Sequence, residues 1–209
     1  MSYAGASHAL ERRVTDGPFI GFVTGGDTQG EEFTWGWQGA YDFYRWLTME
    51  ISYSRHADQL DPRRLTALGL PPGSSVDLEF NNIALSGRWH LYHGNYHSIY
   101  FGAGGNYYLI NEDAQDTNKA IARAGSNSVF SDFSADFHAA WGYHASIGLE
   151  LSLHKHWEVF AEYRHNAVTI DSDYQLVRTA ANGNLVTTTV NDQVRYDHNA
   201  IRLGVNYRF

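Results

Sequence analysis

Three features of the 209-residue sequence predict an all-β fold, an eight-stranded antiparallel transmembrane β-barrel with short periplasmic turns and long extracellular loops. The last nine residues alternate Ile201, Leu203, Val205, Tyr207 and Phe209 with Arg202, Gly204, Asn206 and Arg208, a period of two that marks a strand with one face in an apolar medium. The same alternation recurs upstream at hairpin spacing. Fourteen Tyr, eleven Phe and six Trp supply the rings that such barrels place at both membrane interfaces.

Taken in order, an N-terminal periplasmic segment over residues 1–17 precedes a transmembrane barrel over residues 18–209. Pro18 to Thr24 supplies a first strand. Trp37, Gly39, Tyr41 and Phe43 then turn at Tyr44 to Trp46 into Leu47, Met49, Ile51 and Tyr53. Ile83, Leu85, Gly87, Trp89 and Leu91 turn near His93 to His97 into Ile99, Phe101, Ala103, Gly105, Tyr107 and Leu109. Trp141, Tyr143, Ala145, Ile147, Leu149, Leu151 and Leu153 turn at His154-Lys155-His156 into Trp157, Val159, Ala161 and Tyr163. These short turns alternate with longer connections at Asp27 to Phe33, His56 to Ser75, Asn111 to Asp136, and Asp171 to Asp192. A β-sandwich has no reason to alternate in that way, and an even strand count leaves both ends on one side of the membrane.

Composition narrows the function classes. No apolar run approaches the eighteen residues of a membrane helix. The net charge of −8, with no basic patch among the aromatics, argues against a nucleic-acid partner. Without cysteine there is no disulfide framework and no thiolate nucleophile or ligand. Met1 to Thr15 lacks the apolar core of a secretory signal, so an outer-membrane location implies that a signal has been removed.

The strand parity directs Asp42, Glu50, Arg88, His90, His144, Glu150, Glu162, Arg164, Arg202 and Arg208 into the lumen. Eight strands enclose room only for their own side chains, so charges of both signs are expected to form an ion-pair network, with a gated polar path as the alternative. Gly102 and Gly104 face inward beside Asn106 and allow bulky neighbours to pack closely. Leu65, Leu68 and Leu70, followed by Pro71 and Pro72, place apolar groups in an external loop, as a hydrophobic mouth for small greasy solutes or as packing among loops. Eleven histidines fix no third ligand by spacing, even at His154 and His156 or His90, His93 and His97, so neither a metal nor another cofactor is expected.

Three stretches, Ile99-Tyr100-Phe101-Gly102-Ala103-Gly104-Gly105-Asn106-Tyr107, Ala140 to Glu150 and the terminal Leu203 to Phe209, resemble the OmpW family of small outer-membrane porins, over roughly Val76 to Phe209. The resemblance implies passive passage of small hydrophobic molecules through a lateral opening, without catalysis. It also implies outer-membrane lipid and lipopolysaccharide as surroundings, and an assembly machinery that reads the terminal strand at Tyr207 and Phe209. The loop from Ala57 to Ser75 departs from that family's pattern. Two other readings stay open. One is a structural or adhesive barrel whose loops bind a partner. The other is a barrel resembling the PagL-like lipid A deacylases through Tyr163-Arg164-His165-Asn166-Ala167-Val168, where Ala167 stands in place of the serine nucleophile.

Overall fold

Alternating residues with strong β propensity, interrupted by short polar turns, give long antiparallel hairpins. The computed structural model describes residues 18–27, 33–94, 96–125, 128–180 and 182–209; the segment expected ahead of the barrel, residues 1–17, lies outside them. The strands are β1 (Pro18–Asp27), β2 (Phe33–Tyr44), β3 (Leu47–Gln59), β4 (Asp77–His93), β5 (His97–Asp113), β6 (Asp132–Phe137), β7 (Ala140–Ser152), β8 (Trp157–Thr179) and β9 (Leu185–Arg208). Two helices, α1 (Pro62–Ala67) and α2 (Gln115–Ala124), lie in the second and third external connections.

Eight of the strands close a ring in which each pairs with its neighbours, and β9 completes it against β1 from Phe19↔Arg208 to Asp27↔Ala200. Closure leaves no exposed edge within the bilayer. The ninth strand, β6, is outside the ring proper. It continues the line of β7 upward along β8, pairing Asp132 to Phe137 with Val177 to Ser172.

Where the strands leave the membrane can be read from a change of apolar phase. In the lower part of β8 the odd positions, Trp157 and Tyr163 among them, face outward and are exposed, while Glu158, Glu162 and Arg164 face inward and are buried. Higher on the same strand the buried even positions are Val168, Ile170, Ser172, Tyr174 and Leu176, apolar but for the serine, and Thr169, Asp171 and Gln175 turn to water. Strand β4 repeats the change, with Leu78 and Phe80 inward above Ile83 and Leu85 outward. Apolar groups thus face lipid through the bilayer and face the interior beyond it. Exposed rings mark both levels: Trp35, Trp37, Trp141 and Tyr143 above, and Tyr44, Trp46, Trp89, Tyr92, Tyr96, Trp157 and Phe209 beside the short turns.

The external segments depart furthest from the sequence expectation. The connection expected from Asp171 to Asp192 is mostly paired: the β8–β9 ladder continues to Thr179↔Leu185, which leaves residues 180–184 between the two strands. Backbone pairing outweighs the polar side chains of Thr187 to Thr189 and Asn191 to Gln193, since an antiparallel hairpin can stand in water on both faces. The expected loop from His56 to Ser75 is shorter, because β3 runs to Gln59 and β4 begins at Asp77. Between them Asp61 caps α1 by accepting the Arg63 N–H at 2.9 Å, and Pro62 occupies the first turn. The connection from Asn111 to Asp136 holds α2 and β6, clamped together by Asn118, which donates to the Phe133 carbonyl and accepts the Phe133 N–H, both at 3.0 Å.

Candidate functional site

The barrel interior has two storeys of opposite character. Lower-strand parity builds the first, a charged floor. Arg88, on β4 and fully buried, pairs with Glu50 and, at 3.1 Å, with Glu150. Arg164 Nε meets Glu162 Oε1 at 2.9 Å and Arg202 Nη1 meets the same oxygen at 2.7 Å. Below them Arg208 joins Asp42 and Glu158, the latter at 2.9 Å. Neutral groups complete the layer: Tyr100 OH and Ser146 Oγ donate to Glu162 at 3.0 and 3.1 Å, and Gln38 donates to Asn206 at 2.8 Å while its oxygen faces Arg88. The Arg88 guanidinium also lies 4.7 Å above the Tyr100 ring. His144 stands apart from the ion pairs, between Ser86 at 2.9 Å and Asn106 at 2.7 Å.

Of the ten residues expected in the lumen, Asp42, Glu50, Arg88, His144, Glu150, Glu162, Arg164, Arg202 and Arg208 are buried, and His90 is partly buried, 2.6 Å from Ser98 Oγ and 2.9 Å from Thr48 Oγ1. The sequence reading omitted Glu158, Gln38, Tyr100 and Asn206, although the same even-numbered parity places them there. The inward glycines stand in close quarters: a Cβ on Gly102 would meet Ser146 Oγ at 2.4 Å, and one on Gly104 would meet the Leu85 carbonyl at 2.1 Å. Gly148 matters most for the floor, because a Cβ there would lie 2.2 Å from Tyr100 Cζ. The fully buried Tyr100 has no space to retreat into, so Gly148→Ala is expected to lose about 1–3 kcal/mol of stability, read as a lower urea midpoint for the barrel refolded in vesicles.

The second storey is apolar. Leu78, Phe80, Tyr108, Ile110, Phe133, Phe137, Val168, Ile170, Tyr174 and Leu176 from the strands meet Leu60, Leu65, Leu70 and Val76 from the α1 segment and Ile121 from α2. Burial raises the pKa of Tyr174, far above the outer ring of Trp and Tyr, so its phenol stays neutral among these groups. Here the expected mouth is corrected in form. Leu65 is 1% exposed and Leu70 4%, so both belong to the packed chamber, and only the partly buried Leu68 reaches its margin. Leu68 and Ala67 of the α1 segment line a crevice of about 150 Å³ with Tyr174 and Val190, and Arg64 and Asp192 stand beside it.

Unequal strand lengths leave a seam beside the chamber. The highest β2–β3 pair is Trp35↔Arg55 and the highest β1–β9 pair is Asp27↔Ala200, yet β3 continues to Gln59 and β9 extends back to Leu185. Among the described residues no strand pairs with these two continuing edges. The described contacts across the seam are made by side chains: Tyr196 OH donates to Asp58 Oδ2 at 2.7 Å, Arg64 Nη1 meets Asp192 Oδ2 at 2.6 Å, and the rings of Phe80 and Tyr196 lie 5.1 Å apart. His56 and His198, 5.6 Å apart, join the same group. These residues escaped the sequence reading because their proximity depends on how far distant strands overrun their neighbours.

Elsewhere, Tyr207 faces outward at the lower rim, edge-on to Trp157 at 5.0 Å and to Phe209 at 5.4 Å. His165 also points outward, 2.9 Å from Asn199, and Ala167 offers no hydroxyl. Among the described residues no three of His, Asp and Glu gather as a metal site.

Residues 10–209 match the family model for the outer membrane protein β-barrel domain. The chain belongs to that family. This barrel is therefore a bacterial outer-membrane protein. Its fold is similar to that of OprG from Pseudomonas aeruginosa, at 16% identity and a TM-score of 0.66 over 93% of this chain and 97% of that one. It is also similar to AlkL, solved in lipid bilayers, at 16% identity and 0.54 over 93% and 91%, and to Neisserial surface protein A at 13% and 0.51 over 92% and 94%. No curated protein sequence matches the chain.

Proposed function

We propose that this barrel, as a relative of the OmpW type, lets small hydrophobic molecules pass from the external medium into the outer membrane without catalysis. The carrying observation is the placement of an apolar chamber above a charged floor and beside a seam closed by side chains. An apolar solute reaching the chamber would have to break buried ion pairs to continue downward, at several kcal/mol, roughly, for each uncompensated charge. Sideways, the described residues put ring contacts and polar side-chain contacts in its way. The crevice beside Leu68, at the margin of that apolar layer, is the entry point in this reading.

The test places the protein in vesicles with a lipopolysaccharide outer leaflet and compares uptake of a small hydrophobic dye with planar-bilayer ion conductance. Dye uptake several-fold above protein-free vesicles, with conductance near background, is expected. Leu68→Asp, which puts a charge at the crevice without touching the buried leucines, should remove most of that uptake. Conductance without dye uptake would overturn the proposal, and absence of both would favour a structural or adhesive barrel.

A further inference from the structure

Flat rings from both sides of the seam stack beside its polar pairs, Tyr196–Asp58 and Arg64–Asp192. His56 stacks on Phe80 at 4.8 Å with planes 7° apart, and Phe80 faces Tyr196 at 5.1 Å and 17°. His56 and Tyr196 are themselves within 18° of parallel at 6.4 Å. Tyr108 meets Phe80 edge-on at 6.4 Å, and His198 lies 4.9 Å from Tyr196. These rings come from β3, β4, β5 and β9 and sit inside the wall, so they are not part of the outward belts that anchor the barrel in lipid.

Phe80 and Tyr196 are held by opposite sides of the seam. When the seam parts, their faces are uncovered together beside the chamber. Aromatic faces favour an offset parallel ring beyond what buried area alone gives. A flat solute between them exchanges one ring–ring contact for two, whereas an aliphatic solute of the same size only separates them.

Resting on the passage reading, we propose that the Phe80–Tyr196 seam selects planar aromatic molecules over aliphatic ones of equal size. Its rings form a transient slot, just above the level of the outer Trp and Tyr rings, that an aromatic solute fills between the chamber and the membrane interface, and the expected preference is about ten-fold.

Naphthalene and decahydronaphthalene, two fused-ring hydrocarbons of similar size, are the probes. Each is titrated against histidine-labelled protein in phosphatidylcholine nanodiscs, with the His56 and His198 ring signals followed by NMR and assigned with His56→Gln and His198→Gln. Naphthalene is expected to move both signals at a concentration about ten-fold below that needed for decahydronaphthalene. The preference should fall towards parity in Phe80→Leu/Tyr196→Leu, or in Tyr196→Leu alone should the double variant fail to fold. Equal concentrations, no shift with either probe, or a preference retained in a folded variant would overturn the proposal. Vesicle flux of the same pair separates it from the passage reading. A ring-signal preference without flux leaves the aromatic slot standing and removes passage, whereas flux without preference does the reverse.

Discussion

Arg88→Met is expected to destabilise the barrel by about 3–5 kcal/mol, the cost of leaving buried charge without its partner. The Arg88 side chain is fully buried, and its guanidinium faces both Glu50 and Glu150, so its removal strands carboxylates from two separate strands. Arg164 and Arg202 approach Glu50 only at 3.5 and 3.9 Å and are already engaged by Glu162, so neither can fully replace it. Methionine preserves most of the stem volume, which confines the change to charge and hydrogen bonding. The measurement is the urea midpoint of the barrel in vesicles, at constant slope. Replacing Glu50 and Glu150 by Leu in the same chain should recover much of the loss, because an apolar substitute for a whole buried network is often neutral or better. A loss below about 1 kcal/mol in the single variant would mean that water reaches the floor and screens it.

The lower storey was legible because a period of two carries two messages at once. The outward residues Leu149, Ile147, Leu203 and Val205 declare the lipid, and their neighbours Glu150, Ser146, Arg202 and Asn206 must then face the lumen. Glu158 follows from the same parity, opposite Trp157 and Val159. The upper storey is written in the same code with the phase reversed. Val168, Ile170, Tyr174 and Leu176 alternate as clearly as the residues below them, but on the other parity relative to water, and polar Thr169, Asp171 and Gln175 make that stretch resemble a loop. Phase reversal within an uninterrupted strand is thus the signal that the chain has crossed the bilayer. Helix α1 carries Pro62, an Asp61 cap and Gly69 at a φ of 83°, all readable local signals, yet its six residues are too short for an apolar period to stand out. The seam was not legible, since His56, Phe80 and Tyr196 are joined by ring closure and strand overrun, which no local pattern encodes.

Joining the two sides of the seam is expected to abolish passage of hydrophobic solutes. Among the described residues, three of the contacts across it set the scale. Tyr196 to Asp58 is a hydrogen bond to a charged group, worth about 1.5–3 kcal/mol, and the largely exposed Arg64–Asp192 pair adds about 0–1 kcal/mol. The Phe80–Tyr196 ring pair adds about 0.5–1.5 kcal/mol beyond its buried area. Opening therefore costs roughly 2–5.5 kcal/mol, about one molecule in thirty to one in ten thousand at any moment, which is enough to feed a passive leak. The β8–β9 ladder, on the other edge of β9, offers no comparable route, because its separation would break backbone hydrogen bonds from Trp157 to Thr179. With no native cysteine in the sequence, Asp58→Cys/Tyr196→Cys can be bridged by a bifunctional thiol reagent, and Gln175→Cys/Thr189→Cys, already paired across β8 and β9, serves as the control. Bridging the first pair should reduce dye uptake to that of protein-free vesicles, and bridging the second should leave it unchanged. Uptake that survives the first bridge would place the route elsewhere. If it then rose with ion conductance, the charged floor would be the path, and Arg88→Met, by loosening that floor, would increase both together.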